Sequence, residues 1–410
     1  MKKNLMNIGL ESYQTPEGDV ALIANDAVVV ENTTPTVEIP ADAGVTQDLE
    51  RVRLIADAIH GMVPDSLGSR VANIGIAVMG DGDVVGASME AFSMANVMRS
   101  VSVILEKIMR FLKKVAAVGA EFISRQVKQV IYGRSNAVAL LKQATNMAKL
   151  NGGHVFSVKG AGLQLLQFGG QDAKLASDLV RNFEAFRRSV HEPYAKWVSD
   201  IIDIAGAVES DLKKIGNYKT ITDAPADVFT HLEGIKLAQP PKDWKAVSGA
   251  GIAKFKPSTP TWGSAEILSF GTDKDTVLSL DGSEANFIRP ENVDQETELD
   301  VNGDMIANYA KMAVGVTDLL VGMSGPADEL NKIFASLNQL NFKMQAGAGM
   351  NDGDNQLYAE LMRRVELVGR AATSIEVITR QTAEYFQYLV MLRGILFELV
   401  QNAIASAPKA

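Results

Sequence analysis

The chain of 410 residues contains no cysteine. That absence removes disulfides, thiolate metal sites and cysteine nucleophiles together, and it fits a reducing compartment. Histidines number four, His60, His154, His191 and His231, and no two stand at the i, i+4 spacing of a helical zinc pair. Aromatic side chains make up only 6%, so a core has to rest on Val, Ile, Leu, Met and Ala, as in helical assemblies. No apolar run reaches the roughly eighteen residues of a membrane span, because Asp81 and Asp83 interrupt the low-charge stretch that follows Val71. At the N-terminus, Lys2 and Lys3 are followed by Glu11 and Glu17 before a signal-peptide apolar segment can form. Neither a membrane partner nor a secretory route is expected.

Motifs that carry chemistry are equally scarce. Gly160-Ala161-Gly162 lacks the third glycine of a dinucleotide loop, and Ser248-Gly249-Ala250-Gly251 lacks the Lys-Ser/Thr of a phosphate loop. Neither stands in a strand-helix-strand pattern, and both read as turns. Asp300-Val301-Asn302-Gly303-Asp304 and Asn351-Asp352-Gly353-Asp354 look like pieces of calcium loops, yet Lys311 and Arg363 stand where a twelfth-position glutamate should close each site. Helix N-caps are the better reading of both. No catalytic residue, cofactor-binding residue or metal ligand is therefore assigned, and the chain is expected not to be an enzyme.

What the chain does have is charge, unevenly placed. Residues 1–90 hold five Lys/Arg against fourteen Asp/Glu, which accounts for the whole formal net charge of −9. The remaining 320 residues balance 35 positive against 35 negative side chains. Inside that neutral body, residues 91–150 carry ten Lys/Arg and only Glu106 and Glu121, a net of +8. An acidic block joined to a basic block is a pattern of interaction segments.

The second positive signal is periodicity. Met94, Val97, Val101, Ile104, Ile108, Phe111, Val115, Val118 and Phe122 recur at alternating steps of three and four, the rhythm that lays one apolar seam along a helix. Met98, Leu105 and Leu112 widen the seam, while Arg99, Lys107, Arg110, Lys113 and Lys114 supply its wet side. These five are candidate contacts to the phosphates of double-stranded DNA, without sequence preference, since no base-reading motif accompanies them.

Around this helix the spacing predicts the rest. Residues 1–50 lack a helical period, 47–60 form a short helix, and 61–86 are a glycine-rich loop. Helix continues to about residue 150 with a break at Gly133, and 154–170 are punctuated by glycines. A further helix starts near 172, with Leu175, Leu179, Phe183 and Phe186 on one side, and Glu192-Pro193 marks a boundary within 172–210. Residues 236–300 gather prolines, Trp244 and Trp262, and short alternations at 253–256 and 276–280, as in a β-rich insertion. Helix returns at 305, with one helix over 328–344. A long helix or helix pair from 356 ends the chain, with Tyr385, Tyr388, Leu392, Ile395 and Leu399 in step. The expectation is a mainly α protein: long amphipathic helices in an elongated bundle with a small β-rich subdomain. Its parts are an acidic, largely extended leader at 1–90, helical regions at 91–235 and 301–410, and the β-rich part at 236–300.

Together with the opening Gly9-Leu10-Glu11-Ser12-Tyr13, these features resemble the internal head, or prohead core, proteins of large tailed bacteriophages. That opening looks like the short capsid-targeting segment many of them share. The resemblance implies packing into the prohead among other capsid or core proteins, trimming by a phage prohead protease, and retention with DNA. Such a protein assembles in the host cytoplasm and ends inside the capsid of the virion. The protease of the giant-phage group cuts after glutamate in a small-x-Glu motif, which Glu11, Glu90, Glu121, Glu209, Glu266, Glu284, Glu329 and Glu376 satisfy here. Glu11 closes the targeting-like segment and Glu90 closes the acidic block, so these two are the candidate cleavage sites. The alternatives are a non-enzymatic helical scaffold acting through its seam and, less favoured, an enzyme with a site in the β-rich part.

Overall fold

The computed structural model describes residues 94–151, 153–161, 183–235, 244–247, 253–257, 267–270, 286–288, 296–344 and 355–407. The leader with Glu11 and Glu90, the helix expected at 47–60, most of the start of the helix expected from 172, Trp262, the alternation at 276–280 and the cap at 351–354 lie outside the described residues. Within them the protein is mainly α with a small β part, as the periodicity predicts.

Helix α1 (Met94–Asn151) runs 58 residues, roughly 87 Å at 1.5 Å per residue. Val101, Ile104, Ile108, Phe111, Val115 and Phe122 are buried, and so are Leu105, Met109, Leu112 and Ala116. The stripe is therefore wider than an a/d seam, as suits a helix packed against several neighbours rather than one. It does not break at Gly133. The guanidinium of Arg393 from the last helix lies against that residue, its Nη1 2.6 Å from where a β-carbon would stand, so glycine there admits a side chain instead of ending a helix. Gly119 serves the same end one crossing earlier, where the ring of Phe334 and the methyl of Thr379 approach to 2.5 and 2.9 Å of the β-carbon position.

Strand β1 (Phe156–Ala161) follows, although the glycine punctuation of 154–170 gives no strand signal. Its partner is far along the chain. It pairs antiparallel with β6 (Glu296–Val301), from Phe156 opposite Val301 to Ala161 opposite Glu296. Val158 and Val301 turn inward, whereas Ser157, Lys159, Glu298 and Asp300 face out. Four strands, β2 (Trp244–Val247), β3 (Ala253–Pro257), β4 (Ile267–Phe270) and β5 (Asn286–Ile288), form a separate antiparallel meander in chain order. The β-rich segment thus divides: its last strand, β6, leaves the meander to close a ribbon with β1.

The boundary expected at Glu192-Pro193 is not a helix end. A π-helical turn over Arg187–His191 leads straight into α2 (Glu192–Gly216). Pro193 has no N–H for the Ser189 carbonyl, and the indole Nε1 of Trp244 donates to that oxygen at 3.2 Å. One proline thereby ties the start of the meander to the helical body. Helix α3 (Ala226–Gly234) packs its Val228, Phe229 and Leu232 inward.

Helix α4 (Gly303–Gly322) begins as expected from its cap residues: Asn302 Oδ1 accepts from the Met305 N–H at 2.9 Å. Helix α5 (Ser324–Leu337) starts earlier and stops sooner than the span 328–344. Leu340 and Phe342 stay buried, but the chain carrying them has left the helix, and the Lys343 carbonyl accepts the Ile221 N–H at 2.9 Å. Apolar spacing alone does not distinguish a helix from an irregular segment that buries the same side chains.

The last helix, α6 (Asn355–Ser406), is one element rather than a pair. It is the most enclosed helix among the described residues. Among its described side chains none is exposed between Arg364 and Ile404, and it packs against α1, α2, α3, α4, β1 and β5. A helix covered on all sides shows little amphipathicity, which is why its full extent is weakly marked in the sequence. Thr379 and Thr382 satisfy their buried hydroxyls on the carbonyls of Ile375 and Ile378, at 2.6 and 2.9 Å. Length and composition alone would let α6 cross a membrane, but here it is the core helix of the bundle.

Candidate functional site

The five cations predicted to face the solvent on α1 are brought together by the helix. At 100° per residue, Arg99, Lys107, Arg110, Lys113 and Lys114 fall within about a third of the circumference, over roughly 22 Å of axis. Arg99, Lys107, Arg110 and Lys114 are exposed and Lys113 is half-buried. Glu106 is also exposed and shares this face, so one carboxylate stands among the cations. Farther along α1 two of the basic residues have acidic partners: Arg125 Nη2 is 2.6 Å from Glu121 Oε1, and Arg134 Nε is 3.0 Å from Asp318 Oδ1 on α4. Lys142 and Lys149 are exposed too, near the far end of the helix, so the basic excess runs along its length and is most closely grouped at its start. Such a row of long side chains meets a phosphate backbone as point charges and reads no bases.

Two polar clusters lie away from this face. In the first, buried His191 Nδ1 lies 2.8 Å from the hydroxyl of Tyr385, whose ring lies tilted against that of Tyr194 at 4.2 Å between centroids. Tyr194 donates its own hydroxyl to Gln381 Oε1 at 3.2 Å, and the Trp244 ring lies 6.1 Å beyond. Burial, and then the nearby Arg187 charge, pushes the His191 imidazole down to about 4, so the ring is neutral at physiological pH. Burial likewise raises the Tyr385 phenol well above its ordinary range. Tyrosine donor and neutral imidazole acceptor fit each other, and the cluster locks the π-helical turn onto α6.

The second cluster joins α2 to α3. Asp211 is fully buried, and its carboxylate takes Lys214 Nζ at 2.8 Å together with the ring Nδ1 of His231. His154 is exposed near the end of α1, and His60 lies outside the described residues. Among the described residues, no three His, Asp or Glu converge on a point that could hold a metal ion.

No protein-family model matches this chain, and neither the curated proteins nor the solved structures contain a match.

Both polar clusters couple separate elements, 191 with 385 and 211 with 231, and apart from the i, i+3 step of Asp211 and Lys214 their spacing carries no pattern. Only the half-buried Trp244 and the apolar step of Tyr385 and Tyr388 mark the first of them in the sequence.

Proposed function

We propose that this chain is a structural protein of a bacteriophage head interior, cut after Glu90 by a head-maturation protease and retained with the packaged double-stranded DNA. It assembles among other capsid or core proteins in the host cytoplasm and ends inside the virion. The observation that carries this reading is the basic face at the start of α1, which opens at Met94, four residues after Glu90. A cut there removes the fourteen acidic residues of the leader and none of the described core.

The other motif positions support the same choice. Glu121 lies in α1, Glu209 in α2, Glu329 in α5 and Glu376 in α6, where the backbone is helical and cannot be drawn out in a protease cleft. Glu266 and Glu284 lie outside the described residues.

DNA binding by residues 91–410 tests the reading. This form should bind duplexes of unrelated sequence equally, with an affinity that falls steeply as salt rises; three or four phosphate contacts give a log–log slope of about −3. Changing Arg99, Lys107, Arg110 and Lys114 together to glutamine should flatten that slope to near zero. A quadruple variant that binds as the parent does would remove the basic face from the account.

A further inference from the structure

Resting on that reading, we propose that the acidic leader, residues 1–90, docks on the basic face of α1 in the same chain until it is cut away. Charge complementarity carries the argument. The leader has a net charge of −9, and the block it adjoins, residues 91–150, has a net charge of +8. In the described residues the exposed cations of that block stand at three places along α1. Arg125 and Arg134 have carboxylate partners in the folded body, on α1 itself and on α4. Lys142 and Lys149 stand roughly 40 Å or more along the axis beyond Lys114, and the set at Arg99, Lys107, Arg110 and Lys114 is exposed nearest the leader, with Glu106 among it.

Reach is compatible with this occupant. Lys107 stands thirteen residues into α1 from Met94, roughly 20 Å along the axis. Asp83 precedes Met94 by eleven residues, a span of up to about 37 Å when extended, so Asp81, Asp83 and Glu90 can all fold back along the basic face. Tethering within a few residues keeps the local concentration of these carboxylates high, and a free acidic chain would not compete with them. Cleavage after Glu90 would then expose the face in one step, with no rearrangement of the core.

The test uses the whole chain. Carbodiimide coupling joins carboxylates to lysine amines only where they are in contact, and the products are read by peptide mass spectrometry. Coupling from residues 1–90 should concentrate on Lys107 and Lys114 and fade in high salt, while exposed Lys142, Lys149, Lys196 and Lys311 remain unmodified by the leader. In a mixture of isotopically heavy and light protein, the products should join peptides of one isotopic form. Products spread evenly over all the exposed lysines, or joining heavy to light chains, would overturn docking in the same chain.

A second measurement reads the consequence. Full-length protein with Asp42, Asp48, Asp57, Asp65, Asp81 and Asp83 all changed to asparagine should bind duplex DNA about ten-fold more tightly at low salt than the unaltered full chain. Equal binding would overturn the proposal. Failure of the processing reading looks different: the native protein would keep its leader while the coupling pattern stayed as expected. Failure of docking alone would leave a protein still cut after Glu90 but with scattered coupling.

Discussion

Replacing Arg364 by alanine is expected to lower the unfolding free energy by about 3–5 kcal/mol, the cost of leaving several buried acceptors without a donor. Arg364 sits on the first turns of α6 with its side chain only 12% exposed. Its Nη1 donates to the carbonyls of Ile221, Thr222 and Ala224 at 3.2, 3.1 and 2.7 Å, and Nε reaches Glu360 Oε1 at 3.2 Å. The guanidinium also lies over the Phe229 ring, 4.7 Å from its centroid. One planar group thus closes the turn between α2 and α3 onto the core helix. Lysine in its place should recover only a part, since a single ammonium cannot serve this fork and stack on the ring together. The neighbouring Arg363 is the control: its pair with Glu233 is half exposed on both sides, and its loss should cost under about 1 kcal/mol. Denaturant midpoints measure all three. An alanine variant at Arg364 as stable as the Arg363 variant would contradict the role given to it.

Acidification should weaken the fold through His191 well before the carboxylates titrate. Its folded-state value is held down near 4, whereas an unfolded chain has an ordinary value of about 6.5. Between those two values the unfolded state binds the additional proton, so stability rises with pH across the window. The contribution is fully present above about pH 6.5 and is lost as pH falls towards 4. It amounts to about 3 kcal/mol over the whole window, of which about 2 kcal/mol is lost between roughly pH 7.5 and pH 5. Unfolding free energies at those two pH values, compared with a His191→Gln variant that keeps a side chain able to accept from Tyr385, isolate the term. The variant should show a pH dependence smaller by about 2 kcal/mol, and an unchanged dependence would show that the ring is not held neutral by the fold.

Much of the helical architecture was legible because it is written in short-range spacing. The seam from Val101 to Phe122, apart from half-buried Val118, and the run from Tyr385 to Leu399 are buried as their steps of three and four require. Asn302 reads as an N-cap because a cap needs only the residues next to it. What escaped is what depends on distance. The pairing of β1 with β6 joins residues about 140 apart, and Phe156 to Ala161 is too short to announce itself. Gly133 has the composition of a break, but the reason for it stands on another helix, in the side chain of Arg393. The enclosure of α6 leaves no polar face to mark it as the core, whereas α1 is the more amphipathic of the two. The basic face of α1 was legible as a face; the hydrogen-bonded cluster at His191 was not, because its partners come from α6 and β2.

The central claim is that the mature protein begins just ahead of α1. Intact mass and N-terminal sequencing of the protein taken from mature particles test it most directly. The account predicts a single chain starting at Ala91 and running to the same C-terminus as the precursor, with no species cut inside α1, α2, α5 or α6. A mature chain that still carries residues 12–90, or one whose N-terminus follows Glu121, Glu209, Glu329 or Glu376, would contradict it.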